Sequence, residues 1–255
     1  EGTLGVITEA TLRLRPARGA TAPALAAFAT IAGAAVAVRT VAGSRLRVSA
    51  LELMDRVTVR AVEAMRPLGL DTAAAATLLI ELEDVGGDDL AVLEGLCRDA
   101  GAAEVSTAED PQEQEWLWAA RREALPALDR LGATLLDDVI VPRGRIEELL
   151  VATERIAREH RTTVGLVGHA GDGNFHPTFV FDPADAAARA AALAACDEVM
   201  SLAIALGGSV TGEHGVGTFK RHFLERELDP VALATMRSLK RLLDPAGILN
   251  PGKAI

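Results

Sequence analysis

The sequence has only two cysteines, no run of lysine or arginine, and no long uninterrupted apolar stretch. Cys97 and Cys196 stand far apart in apolar, helix-like surroundings without C-x-x-C spacing, which argues against a disulfide, a redox dithiol and a structural zinc site. Two such lone thiols suit a reducing cytoplasm. The basic footprint of nucleic-acid binding is missing, since the net charge is −10 and the pI is near 5.0. Small ligands are the favoured partners. Arg, Asp or Glu interrupts every candidate for the ~20 apolar residues that a transmembrane helix needs. No signal peptide is recognisable, and the start at Glu1-Gly2-Thr3 without Met reads as that of an excised piece. Lysine is confined to Lys220, Lys240 and Lys253, which with abundant alanine reflects coding bias rather than function.

What is present is material for a large core: 49% of the 255 residues are hydrophobic, enough for one big domain or two small ones. Periodicity predicts a strand over 4–14 closed by Pro16, a helix-like Ala-rich stretch over 21–34, a strand over 46–53, a helix over 55–65 and a strand over 77–82. Asp88 is placed to cap a helix ending at Gly101. In the second half, 135–141 reads as one strand stopped by Pro142. Ile146, Leu149, Leu150, Thr153 and Ile156 then mark one helix face. Short strands over 164–167 and 178–181 flank a Gly-rich turn. Asp182-Pro183 opens a long helix that Gly207-Gly208 closes, and Asp229-Pro230 opens another that stops at Asp244-Pro245. This alternation predicts an α+β fold: an antiparallel sheet covered by helices on one face, in the split β-α-β or ferredoxin-like manner. A parallel doubly wound sheet is the second choice.

Two Gly-rich segments carry the chemistry, 168–177 (GHAGDGNFHP) and 208–217 (GSVTGEHGVG), and they hold three of the five histidines. In the first, a Gly-Asp-Gly-Asn turn between strands folds His169 toward His176. Two imidazoles beside a carboxylate such as Glu213 would make an open metal site that leaves positions for substrate, the alternative being a tight turn with two bystander histidines. Neither segment is a nucleotide loop, because Lys220 stands where the dinucleotide fingerprint needs its third glycine and no Gly-Lys-Ser/Thr follows.

These two segments, together with the opening EGTLGVITEATLRL and the closing LKRLLDPAGILNPGKAI, resemble the FAD-linked oxidase family that includes D-lactate dehydrogenase and the glycolate oxidase flavoprotein subunit. The resemblance spans the whole chain in the right order. It implies that residues 1–15 are the tail of an FAD-binding domain, that 16–243 form the substrate or cap domain, and that 244–255 return to the FAD domain. It implies a divalent metal (zinc, manganese or iron) on His169, His176 and Glu213, and His214 as catalytic base. The Trp118-Ala119-Ala120-Arg121 sequence resembles the family's W-x-x-R, so Arg121 is expected to bind the substrate carboxylate, with Asn174 as a polar neighbour of the reacting centre. Gly2, Thr3, Gly5 and Asn250 resemble flavin-contacting positions. Leu136 stands where relatives specific for dicarboxylates carry a lysine, which favours a monocarboxylate such as lactate or glycolate.

The resemblance therefore implies oxidation of a D-2-hydroxyacid to the 2-oxoacid with hydride transfer to FAD, most of which the preceding domain would bind. The implied setting is cytoplasmic, with membrane attachment only through a partner, and with oxidase subunits or a second copy as protein partners. A non-catalytic ferredoxin-like module binding a metal or a small acid is the alternative.

Overall fold

The computed structural model describes residues 1–14, 16, 17, 19–108 and 110–255. Its first regular element corrects the sequence-based expectation. The Ala-rich stretch after residue 20 forms a strand, β1 (Thr21–Phe28), and the helix begins only afterwards as α1 (Ile31–Ala42), where the Thr30 hydroxyl accepts from Gly33 N–H. Alanine's helix preference is a fraction of a kcal/mol per residue, whereas β1 gains backbone partners on both edges. Its small side chains Ala24 and Ala26 also let α1, itself lined with Ala34 and Ala37, pack closely above.

The chain continues through β2 (Val48–Asp55), α2 (Arg56–Met65), β3 (Ala76–Glu83), α3 (Asp89–Asp99) and β4 (Ala102–Thr107). The order β4-β1-β3-β2, antiparallel throughout, is the expected ferredoxin-like arrangement. Asp88 precedes α3 but makes no capping bond, because its carboxylate faces Arg45. Then come α4 (Pro111–Arg122), α5 (Ala124–Asp129), β5 (Ala133–Leu136), β6 (Val139–Ile140), α6 (Ile146–His160), β7 (Thr163–His169), β8 (Asn174–Phe181), α7 (Ala186–Ala205), α8 (Leu224–Glu227) and α9 (Pro230–Leu243). Strand β7 adds to β2, β8 to β7 and β5 to β8, with β6 also on β8. The eight strands among the described residues thus make one antiparallel sheet, and the parallel alternative is excluded.

Alternation along the strands builds two cores. Leu51, Leu53, Leu78, Ile80, Leu166 and Phe179 face α1, α3, α6 and α7, and the predicted α6 stripe lies wholly buried in this layer. Met54, Val167 and Val180 face the other way, onto Val59 and Val62 of α2, Ala120 of α4, and Ala124 and Leu128 of α5. This second helical layer adds to the single one expected.

Two further boundaries differ from the sequence reading. Residues 4–14 form no strand; Val6, Ile7, Leu12 and Leu14 are exposed, and among the described residues no sheet edge pairs with them. The proposed boundary residue Arg15 lies outside the described residues. The cap of α7 is Asp185, whose carboxylate accepts from Ala187 and Ala188, while Asp182 closes only a preceding turn through Ala184. Asp229 with Pro230 opens α9 as expected. No described helix is long and apolar enough to cross a membrane.

Asp55 caps α2 through Thr58 N–H at 2.8 Å and lines a groove of about 450 Å³ with Arg56, Leu150, Thr153 and Glu154. Burial, with Glu154 nearby, pushes this carboxyl up to about 6. Its unfolded value is near 3.9. The folded state thus holds a proton that the unfolded chain releases earlier, and the contribution is fully present below pH ~4 and lost as pH rises through about 6. Asp55→Asn keeps a good N-cap and removes the titration. Urea unfolding of the two proteins across pH 4–7 should show the variant gaining stability relative to the wild type as pH rises. A constant difference would contradict this assignment.

Candidate active site

Three neighbouring strands present polar side chains on one face in adjacent register. Glu52 of β2 lies opposite His169 of β7, and His169 lies opposite Asn174 of β8, with His176 two residues further along the same face. The turn folds the two histidines together as its sequence implies, with ring centroids 5.3 Å apart. Gly173 makes that turn possible: its φ is +78°, and a Cβ there would stand 2.1 Å from the Val141 carbonyl oxygen.

Glu213 and His214 arrive on the loop after α7, and this loop is held from below. The expected strand over 135–141 breaks at Asp137-Asp138, and Asp138, fully buried, turns its carboxylate under the loop. Its Oδ2 accepts from the backbone N–H of Gly212 at 2.6 Å, Glu213 at 2.7 Å and His214 at 3.1 Å. The buried Lys220 ammonium donates to Asp138 Oδ1 and lies 2.6 Å from Asp137 Oδ1. Burial alone would raise the Asp138 pKa, but the Lys220 bond, the loop amides and the Lys220 charge outweigh it and hold the group at about 2.

On this support Glu213 Oε1 lies 3.3 Å from His176 Nε2 and 3.5 Å from His169 Nε2. Metal–ligand bonds of about 2.1 Å at octahedral to tetrahedral angles require ligand atoms roughly 3.0–3.4 Å apart, and the two Glu213–histidine separations fall close to that range. One ligand atom from each of the three residues lies within 4.8 Å of the others. His176 is buried, and desolvation together with the His214 and His169 rings lowers its pKa to about 4, leaving it neutral and free to donate a lone pair at neutral pH. Its Nδ1 has no hydrogen-bond partner among the described residues. The His214 ring stacks on His176 with centroids 4.9 Å apart, its Nδ1 3.9 Å from Asp138 and its Nε2 3.9 Å from Glu213.

Arg121 enters from the C-terminal turn of α4, where its Nε donates to Glu52 Oε2 at 2.7 Å. One turn earlier, Trp118 Nε1 donates to Glu81 Oε1 of β3 at 3.0 Å. Residues three apart share a helix face, so both ends of the W-x-x-R motif dock on carboxylates of the sheet. Asn174 is buried with Oδ1 unpartnered among the described residues, and its side chain packs so closely on Gly212 that a Cβ there would stand 2.4 Å from it.

The residues linked to flavin by resemblance are brought together only in part. Asn250, with φ +45°, donates to the Glu1 carbonyl at 2.6 Å, and Lys240 bridges the carbonyls of Thr3 and Leu249. The Glu1 carboxylate accepts from Val216 and Gly217 N–H, which ties Gly2, Thr3 and Asn250 to the loop that carries His214. Gly5 is exposed, with no heavy atom within 4 Å of a Cβ built on it. Sequence reasoning missed Glu52, Glu81, Asp137, Asp138 and Lys220 as contributors. Asp137-Asp138, two acids inside an otherwise apolar strand pattern, was the available signal.

A sequence model described as "FAD linked oxidases, C-terminal domain" matches residues 18–254. The glycolate oxidase subunit GlcD of Bacillus subtilis is 38% identical over 99% of this chain and 55% of its own length. The mitochondrial D-lactate dehydrogenase [cytochrome] of Arabidopsis thaliana is 36% identical over the full chain and 46% of its own length. The chain therefore spans about half the length of these curated relatives. Among solved structures, 4-ethylphenol oxidase from Gulosibacter chungangensis superposes with a TM-score of 0.66 at 18% identity, covering 95% of this chain and 55% of that one, which is a likeness of fold.

Proposed function

The chain belongs to the family of FAD-linked oxidase C-terminal domains, and from that premise we propose that it forms the substrate side of an enzyme that oxidises a D-2-hydroxyacid of the lactate or glycolate type to the 2-oxoacid. The observation that carries this is the convergence of His169, His176 and Glu213 beside Arg121, four side chains from three separate parts of the fold. Glycolate oxidase and D-lactate dehydrogenase relatives support the substrate class.

Arg121 binds the substrate carboxylate through its terminal nitrogens, which make no hydrogen bond among the described residues. His169, His176 and Glu213 would hold a divalent cation, which when bound supplies a Lewis acid for the substrate hydroxyl. His214, stacked on His176 at the edge of the ligand set, takes the hydroxyl proton. Asn174 offers an unpartnered amide oxygen beside the same loop. FAD, when bound, supplies the acceptor for the C2 hydride. Gly2, with left-handed backbone and open space where a Cβ would stand, leaves main chain that a flat ring can approach, and Asn250 lies at the same edge. Residues 1–15 and 244–255 belong structurally with the FAD domain in this account, and 16–243 form the substrate domain. Leu136, at the solvent end of β5, offers no cation for a second substrate carboxylate. A cytoplasmic setting, and contact with oxidase subunits or a second copy, form part of the same proposal.

The test is anaerobic mixing of the flavin-loaded enzyme with D-lactate or glycolate. Flavin absorbance should bleach, should cease to bleach after treatment with a chelator while the flavin stays bound, and should bleach again on return of manganese or zinc. Undiminished bleaching by metal-free enzyme would contradict the role given to the three ligands.

A further inference from the structure

We propose that Glu52 is a shared positioning residue, one carboxylate that orients both the substrate-binding Arg121 and the metal-ligating His169. The inference rests on the functional assignment of those two residues above. Glu52 is 7% exposed, and each of its oxygens has a different partner: Oε2 accepts from Arg121 Nε at 2.7 Å and Oε1 meets His169 Nδ1 at 2.7 Å. Its strand position fixes it between them, because its Cα pairs with that of His169 across β2 and β7, while Arg121 descends from α4 onto the same face.

Each contact has a chemical consequence. A carboxylate has no proton to give, so His169 Nδ1 must be the donor, and Nε2, which faces Glu213 Oε1 at 3.5 Å, keeps its lone pair for a cation. On the other side, Glu52 occupies the Nε edge of the guanidinium. The two terminal nitrogens then present the fork that matches a substrate carboxylate. A single buried group thus sets the tautomer of a ligand and the aim of the anchor. The spacing between carboxylate anchor and hydroxyl-binding cation is therefore built into the sheet rather than left to mobile side chains.

Two probes separate the arms in the flavin-loaded enzyme: free Mn²⁺ counted by its EPR signal for the His169 arm, and the competitive inhibition constant of propionate, which lacks the hydroxyl, for the Arg121 arm. Glu52→Ala should weaken both, Mn²⁺ by roughly 10–100-fold and propionate by about tenfold through loss of the charge-assisted bond that aims Arg121. Glu52→Gln is isosteric and keeps the measurement readable if the alanine variant folds poorly, as judged by flavin content. Its amide oxygen should stay on the charged guanidinium while its N–H faces His169 Nδ1, forcing the proton onto Nε2. Mn²⁺ affinity should then fall while propionate inhibition holds within about threefold. His169→Ala should move only Mn²⁺, and Arg121→Ala mainly propionate. If those two variants behave so and Glu52→Ala weakens only one probe or neither, Glu52 is not the shared residue and the site assignment stands. Unchanged Mn²⁺ affinity in His169→Ala would overturn the site assignment and this inference with it.

Discussion

Replacing His214 with glutamine is expected to lower the rate of flavin reduction by roughly 10²–10⁴-fold, the usual weight of a general base, while Mn²⁺ affinity changes little. The expectation follows from position. His214 stacks on His176 and its Nε2 lies 3.9 Å from Glu213 Oε1, so it borders the ligand set without belonging to it. It is also the more exposed ring, placed beside the loop segment that Glu1 and Asn250 tie down. Stopped-flow reduction at saturating substrate isolates the step. A reduction rate within about threefold of wild type would assign proton removal to another group.

Lys220→Met should have the largest effect on the protein itself. Lys220 sits between two buried carboxylates, Asp137 and Asp138, and truncating one partner of a buried ionic group leaves the others uncompensated at a cost of about 3–5 kcal/mol. For a chain of this size that is a fall of roughly 6–20 °C in Tm, at about 2–4 °C per kcal/mol. The pH dependence should weaken as well. In the wild type Asp138 is held at about 2, below its unfolded value near 3.9, so its contribution is present above pH ~4 and lost as pH falls toward 2. Without Lys220 the loop amides alone oppose burial, so the carboxyl should rise from that value and the stability lost between pH ~4 and 2 should shrink. Because Asp138 also gathers the amides of Gly212, Glu213 and His214, the variant should lose Mn²⁺ affinity along with stability. A Tm within 2 °C of wild type, with metal binding intact, would show that the buried triad neither stabilises the fold nor holds the loop.

The parts of the site that were legible in the sequence are those made by local chemistry. A Gly-Asp-Gly-Asn turn brings His169 and His176 together, and the Asp229 cap of α9 follows from residue type and spacing, whereas Asp88 and Asp182, chosen on the same grounds, do not cap their helices. The supports were illegible because they join residues far apart in the chain. Glu52 reaches residues 69 and 117 positions away, and Lys220 reaches Asp138 across 82. In the strand pattern Glu52 and Glu81 read as ordinary outward-facing acids, and only the α4 layer on that face converts them into buried acceptors for Arg121 and Trp118. Strand β1 was misread for a related reason. Its alanines favour a helix in isolation, but two strand partners and the close approach of α1 decide otherwise. The unpaired stretch 4–14 shows the converse, since alternation and β-branched residues do not make a strand without an edge to join.

The central claim is that His169, His176 and Glu213 form one divalent-cation site. Electron spin-echo envelope modulation of Mn²⁺ added to the flavin-loaded enzyme tests it most directly, because directly bound imidazole nitrogen imprints a ¹⁴N modulation that water and carboxylate do not. Two coordinated imidazoles should be seen in the wild type and one in either His169→Ala or His176→Ala. An Mn²⁺ signal without nitrogen modulation, or one unchanged by both substitutions, would contradict the site.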